Sequence, residues 1–174
     1  KTKKLTYTMK VAKASVALSG DSAVAVGSTT KLTTTKKASS RAKITYTSSD
    51  ETIATVSEDG TVKGVKAGKA TITAKLVIGK DTATATQEVE VKNYVLSTVA
   101  QNKLTELKAT VAGDTKNLKT TDFTVKSEAT NVVYPVSKVT VDSKDASQVT
   151  LTLFSELKDA ATYDVTLDGI TKTF

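Results

Sequence analysis

The chain has neither cysteine nor histidine among its 174 residues. Without cysteine there is no disulfide, no thiolate metal site and no thiol nucleophile. Without histidine it lacks the usual general base near neutral pH and the commonest nitrogen ligand for transition metals. Tryptophan is absent, proline occurs once and aromatics make up 5%. The apolar interior must therefore be built from Val, Ala, Leu and Ile. No stretch approaches the roughly 18 apolar residues of a membrane-spanning helix. No signal peptide is visible and the chain opens Lys1-Thr2-Lys3-Lys4 without Met, as an excised piece of a longer protein would. What remains for chemistry is carboxylates, lysines, tyrosines and hydroxyls.

What is abundant is threonine, roughly a fifth of the residues, with valine close behind. Both are branched at Cβ, and their stiffness at the first side-chain torsion favours strands over helices. The spacing predicts an all-β fold. Leu5, Tyr7, Met9 and Val11 alternate as in a half-buried strand. Ile44 and Tyr46 share a face, as do Ala54 and Val56. Asp59-Gly60 is suited to a tight hairpin, because both positions tolerate positive φ. Gly64, between Val62 and Val65, is read as a bulge. Ile72, Ala74, Leu76 and Ile78 alternate, and Ala83, Ala85, Gln87, Val89 and Val91 line one face of the next strand.

Turns every 8–12 residues suggest a sandwich. The first unit is placed at residues 1–92 and the second at 93–174, with no Gly/Ser/Pro linker between them. In the second, Pro135 is expected on an edge or at a bulge. Val139-Val141 and Val149-Leu151-Leu153 read as paired strands, Ser155 to Ala160 as a helical turn or ordered loop, and Tyr163, Val165 and Leu167 as a strand ending at Asp168-Gly169.

The net charge of +7 is uneven. Residues 1–92 hold 16 basic and 8 acidic side chains, and residues 93–174 hold 9 and 10. A basic half fits an anionic partner such as an acidic wall polymer, a membrane surface or nucleic acid. A solvated lysine-rich surface is the plainer account. The single Arg and the scarcity of stacking aromatics argue against nucleic acid.

Three stretches, VAVGSTTKLT at 24–33, ITYTSSDETIATVSEDGTVKGVKAGKATITA at 44–74 and the strand closing at Val91, carry a family likeness. Over about residues 11–92 the chain resembles the bacterial immunoglobulin-like domain of group 2. Family members usually carry Trp where this chain has Tyr46, whose hydroxyl needs a partner or an exposed tip. DFTVKS at 122–127 and the stretch 136–169 resemble, more loosely, the immunoglobulin-like repeats of bacterial surface-layer (S-layer) proteins. The resemblance implies two tandem immunoglobulin-like β-sandwich domains. It implies a non-enzymatic, extracellular segment of a self-assembling cell-envelope lattice, whose partners are other domains and copies of the same protein. An adhesin stalk and an accessory module of a secreted cell-wall enzyme are the rival readings.

Calcium is the one cofactor the resemblance raises, and Asp142 and Asp145 are the candidate ligands. Calcium takes six to eight oxygens, however, and no D-x-[DN]-x-[DN]-G loop is present. Loop acids also serve turns. No catalytic residue is assigned: Asp50-Glu51 and Glu58-Asp59 are not grouped as an acid–base pair would need. Ser48-Ser49 has no partner base and reads as a turn. Tyr7, Tyr46, Tyr94, Tyr134 and Tyr163 fall mostly at strand positions suited to packing.

Overall fold

Alternation of apolar and hydroxylated residues becomes alternation of buried and exposed faces. In a computed structural model, which describes residues 13–38, 40–158 and 161–174, Ala70, Ile72, Ala74 and Leu76 point into the interior while Thr71, Thr73 and Lys75 point outward. The period of two along a pleated strand requires this division.

Nine strands precede Asn93 among the described residues: β1 (Ser15–Ser19), β2 (Ala23–Ala25), β3 (Thr29–Lys31), β4 (Thr33–Lys37), β5 (Lys43–Ser48), β6 (Ala54–Val56), β7 (Thr61–Gly64), β8 (Gly68–Ile78) and β9 (Asp81–Lys92). They form a four-stranded sheet in the order β2-β9-β8-β5, a three-stranded sheet β3-β7-β6 and the pair β1-β4. Only β2 runs parallel to its neighbour. Seven strands follow: β10 (Tyr94–Lys103), β11 (Glu106–Gly113), β12 (Phe123–Ser127), β13 (Val136–Val141), β14 (Gln148–Leu153), β15 (Tyr163–Leu167) and β16 (Ile170–Thr173). These form the antiparallel sheets β10-β11-β14-β13 and β12-β15-β16. None of these sheets crosses Asn93.

The cores divide at the same place. Val24, Leu32, Ala54, Val62, Ile72, Val89 and Val91 pack together before residue 93. A smaller group, Ala14, Ala42 and Leu76, with Val16, Ile44, Ile78 and Ala83 against it, closes one end. After residue 93 one cluster joins Leu96, Leu107, Val111, Phe123, Val125, Leu151, Tyr163 and Leu167. Each fully buried aliphatic side chain contributes about 1.5–3 kcal/mol of transfer free energy, so aliphatic packing carries the fold.

Two tyrosines pack against the interior with their hydroxyls partnered. Tyr46 is half-buried and its hydroxyl lies 2.6 Å from Thr34 Oγ1, the partner its position requires. Tyr163 is buried, and its hydroxyl accepts the Lys158 amide at 2.7 Å. A tyrosine at a strand start tied to backbone a few residues upstream is a recurrent corner in sandwiches. Tyr134 meets its ring edge-on at 5.4 Å and Phe174 stacks on it at 5.8 Å.

Several expectations are corrected. Asp59-Gly60 is not a two-residue hairpin: only Gly60 has positive φ, and the turn runs Ser57–Gly60, with the Gly60 amide on the Ser57 carbonyl. Gly64 is not a bulge, since β7 pairs in unbroken register with both neighbours. Glycine is needed there because a Cβ would stand 2.6 Å from the Ala25 carbonyl oxygen. Of the two alternatives for Ser155 to Ala160, the described part, Ser155–Lys158, takes the loop. A strand that the sequence reading lacked, β16, follows Asp168-Gly169. Pro135 does precede an edge strand, β13, whose register shifts between Val136 and Lys138. The strand expected at Leu5–Val11 lies outside the described residues.

Candidate functional site at the strand junction

β9 hands over to β10 with Asn93 alone between them. The end of β9 is fixed from one side by β2: Ala23, Val24 and Ala25 lie beside Glu90, Val91 and Lys92, and the Val26 amide donates to the Lys92 carbonyl at 2.9 Å. From the other side it is met by the β15–β16 hairpin. There Asp168 and Gly169 have φ of 49° and 74°. Two successive positive-φ residues make the turn whose twist matches that of the flanking strands, which is why Asp-Gly suits it.

That hairpin tip turns its polar atoms toward the junction. Lys92 Nζ donates to the Asp168 carbonyl at 3.0 Å and pairs with Glu90 Oε1 at 3.2 Å. The Tyr94 amide donates to Asp168 Oδ2 at 3.3 Å. The Lys92 side chain is only 17% exposed, so these contacts are screened less than surface pairs, for which the usual contribution is about 0–1 kcal/mol. Asn93 itself is held by close approach. Its carbonyl oxygen lies 2.3 Å from where a Cβ on Gly113 would stand, and Gly113 has φ of 120°. Burial, and then the carboxylates of Asp122, Asp114 and Asp168, push the Tyr94 hydroxyl up from its ordinary value. An open cleft of about 460 Å³ runs alongside, between Asp21–Ala23 on one side and Val95–Ser97, Ile170 and Lys172 on the other.

The acids singled out in the sequence are engaged in turns. Asp142 Oδ1 accepts the Lys144 and Asp145 amides at 2.7 and 3.0 Å, and Asp145 Oδ1 accepts the Ser147 hydroxyl and amide at 2.7 and 2.9 Å. These donors hold both carboxyls below the usual carboxylate range. No group of three Asp or Glu is placed to hold a metal among the described residues. Asp50 Oδ1 accepts the Thr52 hydroxyl and amide at 2.6 and 2.9 Å. Ser48 Oγ accepts the Asp50 amide at 3.3 Å, and Ser49 Oγ accepts the Thr71 amide at 2.8 Å. Asp59 is held well below its ordinary pKa by the Lys31 ammonium first, then by Ser57 and Thr61. Tyr46, Tyr94 and Tyr134 are half-buried and Tyr163 is buried, whereas Tyr7 lies outside the described residues. The residue that sequence reasoning missed is Asp168. Its turn was legible as Asp-Gly, but Lys92 lies 76 positions away.

Residues 12–87 match the model of the bacterial Ig-like domain (group 2). A 36-residue segment, 21% of this chain, is 61% identical to an alpha-L-arabinofuranosidase of Bifidobacterium longum subsp. longum, of whose length it spans 3%. Among solved structures, domains 4 and 5 of the S-layer protein SbsC align over 93% of this chain and 96% of that one, at 18% identity and a TM-score of 0.34. A mutant of EHEC O157:H7 intimin aligns over 51% and 49%, at 19% identity and a TM-score of 0.33. The expected all-β, immunoglobulin-like sandwich fold is what the sheets form, and residues 12–87 are similar to the bacterial Ig-like domain of group 2.

Proposed function

We propose that the chain is a non-catalytic, load-bearing segment of an extracellular bacterial protein, made of two tandem sandwiches at residues 1–92 and 93–174 held at a fixed angle. Its place is in a self-assembling surface layer, where neighbouring domains and copies of the same protein are its partners. The observation that carries this reading is the junction. One residue separates β9 from β10, and the Asp168 hairpin binds the residues on both sides of it. A flexible tether would spread load and position over many conformers, whereas a short, hydrogen-bonded passage keeps them fixed. The aliphatic cores supply the stiffness of each unit.

Electron microscopy of the whole surface protein to which this segment belongs tests the lattice. Ordered sheets are expected under assembly conditions, and persistent single particles would sink that part of the proposal. The 36-residue segment that is 61% identical to part of an arabinofuranosidase favours a second reading, an accessory module of a secreted wall enzyme. A catalytic domain in the flanking sequence would decide for it.

A further inference from the structure

We infer that the end of the first sandwich opposite the junction is a docking surface for a flexible, phosphodiester-type polyanion. The register gathers the cations. Lys37 lies beside Ser15 and Lys36 beside Val16, with Lys13 just ahead of β1. Lys43 opens β5 and lies beside Val77, and Lys75 lies beside Thr45 and Thr84 on the outer face. Arg41 precedes β5, and Lys80 sits in the β8–β9 turn. The cluster of Ala14, Ala42 and Leu76, with Val16, Ile78 and Ala83 packed on it, brings these segments to one end.

All seven cations are exposed, and the acids near them among the described residues are Asp81 in the β8–β9 turn and Glu58, which lines a cleft with Lys43. The ion pairs among the described residues use Lys31, Lys69, Lys92 and Lys103 instead. A closely spaced set of like charges raises the local potential and attracts a polymer whose charges repeat at short intervals.

The rest of the surface selects among polyanions. Six of the seven are lysines, compact point charges that meet single phosphates rather than bidentate planar groups. Among the described residues this end has no exposed aromatic on which bases would stack: Tyr46 is half-buried with its hydroxyl on Thr34. The large exposed apolar side chains among the described residues, Val65, Val132, Val133 and Phe154, lie elsewhere, which disfavours insertion into a lipid layer. A phosphodiester chain without bases fits best. The inference goes beyond the fixed-angle reading and stands or falls separately from it.

The test titrates the 174-residue chain with synthetic poly(glycerol phosphate) at low and high salt, beside an oligothymidylate and phosphatidylglycerol vesicles. The quadruple variant Lys36→Gln/Lys37→Gln/Arg41→Gln/Lys43→Gln should weaken polymer binding about tenfold or more and flatten its salt dependence. A variant with the same charge change in the second half, Lys108→Gln/Lys116→Gln/Lys138→Gln/Lys144→Gln, should stay within about twofold of the parent. If the quadruple variant fails to fold, the pairs Lys36→Gln/Lys37→Gln and Arg41→Gln/Lys43→Gln are measured separately, each expected to cost about threefold. Equal loss in both quadruple variants, no binding by the parent at low salt, or tighter binding to the oligothymidylate or the vesicles would overturn the inference.

Discussion

A methyl group on Gly64 would stand 2.6 Å from the Ala25 carbonyl oxygen and 2.9 Å from Val91 Cγ1. Backbone on one side and core on the other leave it no room, so Gly64→Ala should cost about 1–3 kcal/mol as an overpacking substitution. Urea unfolding measures it, and a loss under about 0.5 kcal/mol, the size of an ordinary surface change, would contradict the close packing of β2 on β7. Tyr163→Phe should cost about 1–2 kcal/mol, because the Lys158 amide loses its acceptor while the ring contacts with Tyr134 and Phe174 survive. At this scale the sequence was legible where a residue's own periodicity decides its place, as with Ile72 and Leu76. It was silent where the decisive neighbour is distant. Gly64 looked like a bulge because nothing local announces the strand that crosses it.

Strands and turns repeat that contrast. The dipeptide Asp-Gly occurs at 59–60 and at 168–169 and forms different turns. The spacing of the paired strands decides between them. Val56 pairs with Val62 across five residues, while Leu167 pairs with Ile170 across two. Only the second needs positive φ at Asp. The other turns depend on ionised carboxylates. Asp50, Asp142 and Asp145 are held below the ordinary carboxylate pKa by donors in their own turns, and Asp59 by the Lys31 ammonium of β3 first and then by Ser57 and Thr61. A depressed folded-state pKa gives stability that is present above the unfolded value, about 4, and is lost as pH falls further. Melting temperature should therefore drop as pH falls below about 4, and Asp59→Asn should flatten that drop. At Asp142 and Asp145 the carboxylate oxygens already accept backbone amides and a hydroxyl. We expect Asp142→Asn/Asp145→Asn to lower the melting temperature equally in calcium and in chelator. A calcium-induced rise that vanishes in this variant would instead make the hairpin a metal site.

For the whole molecule, the change of charge balance near residue 93 was legible in the sequence. The contacts of Lys92 and Tyr94 with Asp168 were not, since these partners lie 76 and 74 positions apart in the chain. Gly113 adds the close approach that fixes Asn93. The lack of cysteine makes the proposed fixed angle directly measurable. Spin labels on Thr84→Cys and Thr140→Cys, both exposed and on opposite sides of the junction, report the distance between halves. A single narrow distribution is predicted, broadening when Asp168→Ala is added. A broad distribution in the parent chain, unchanged by Asp168→Ala, would contradict a junction that fixes the two halves.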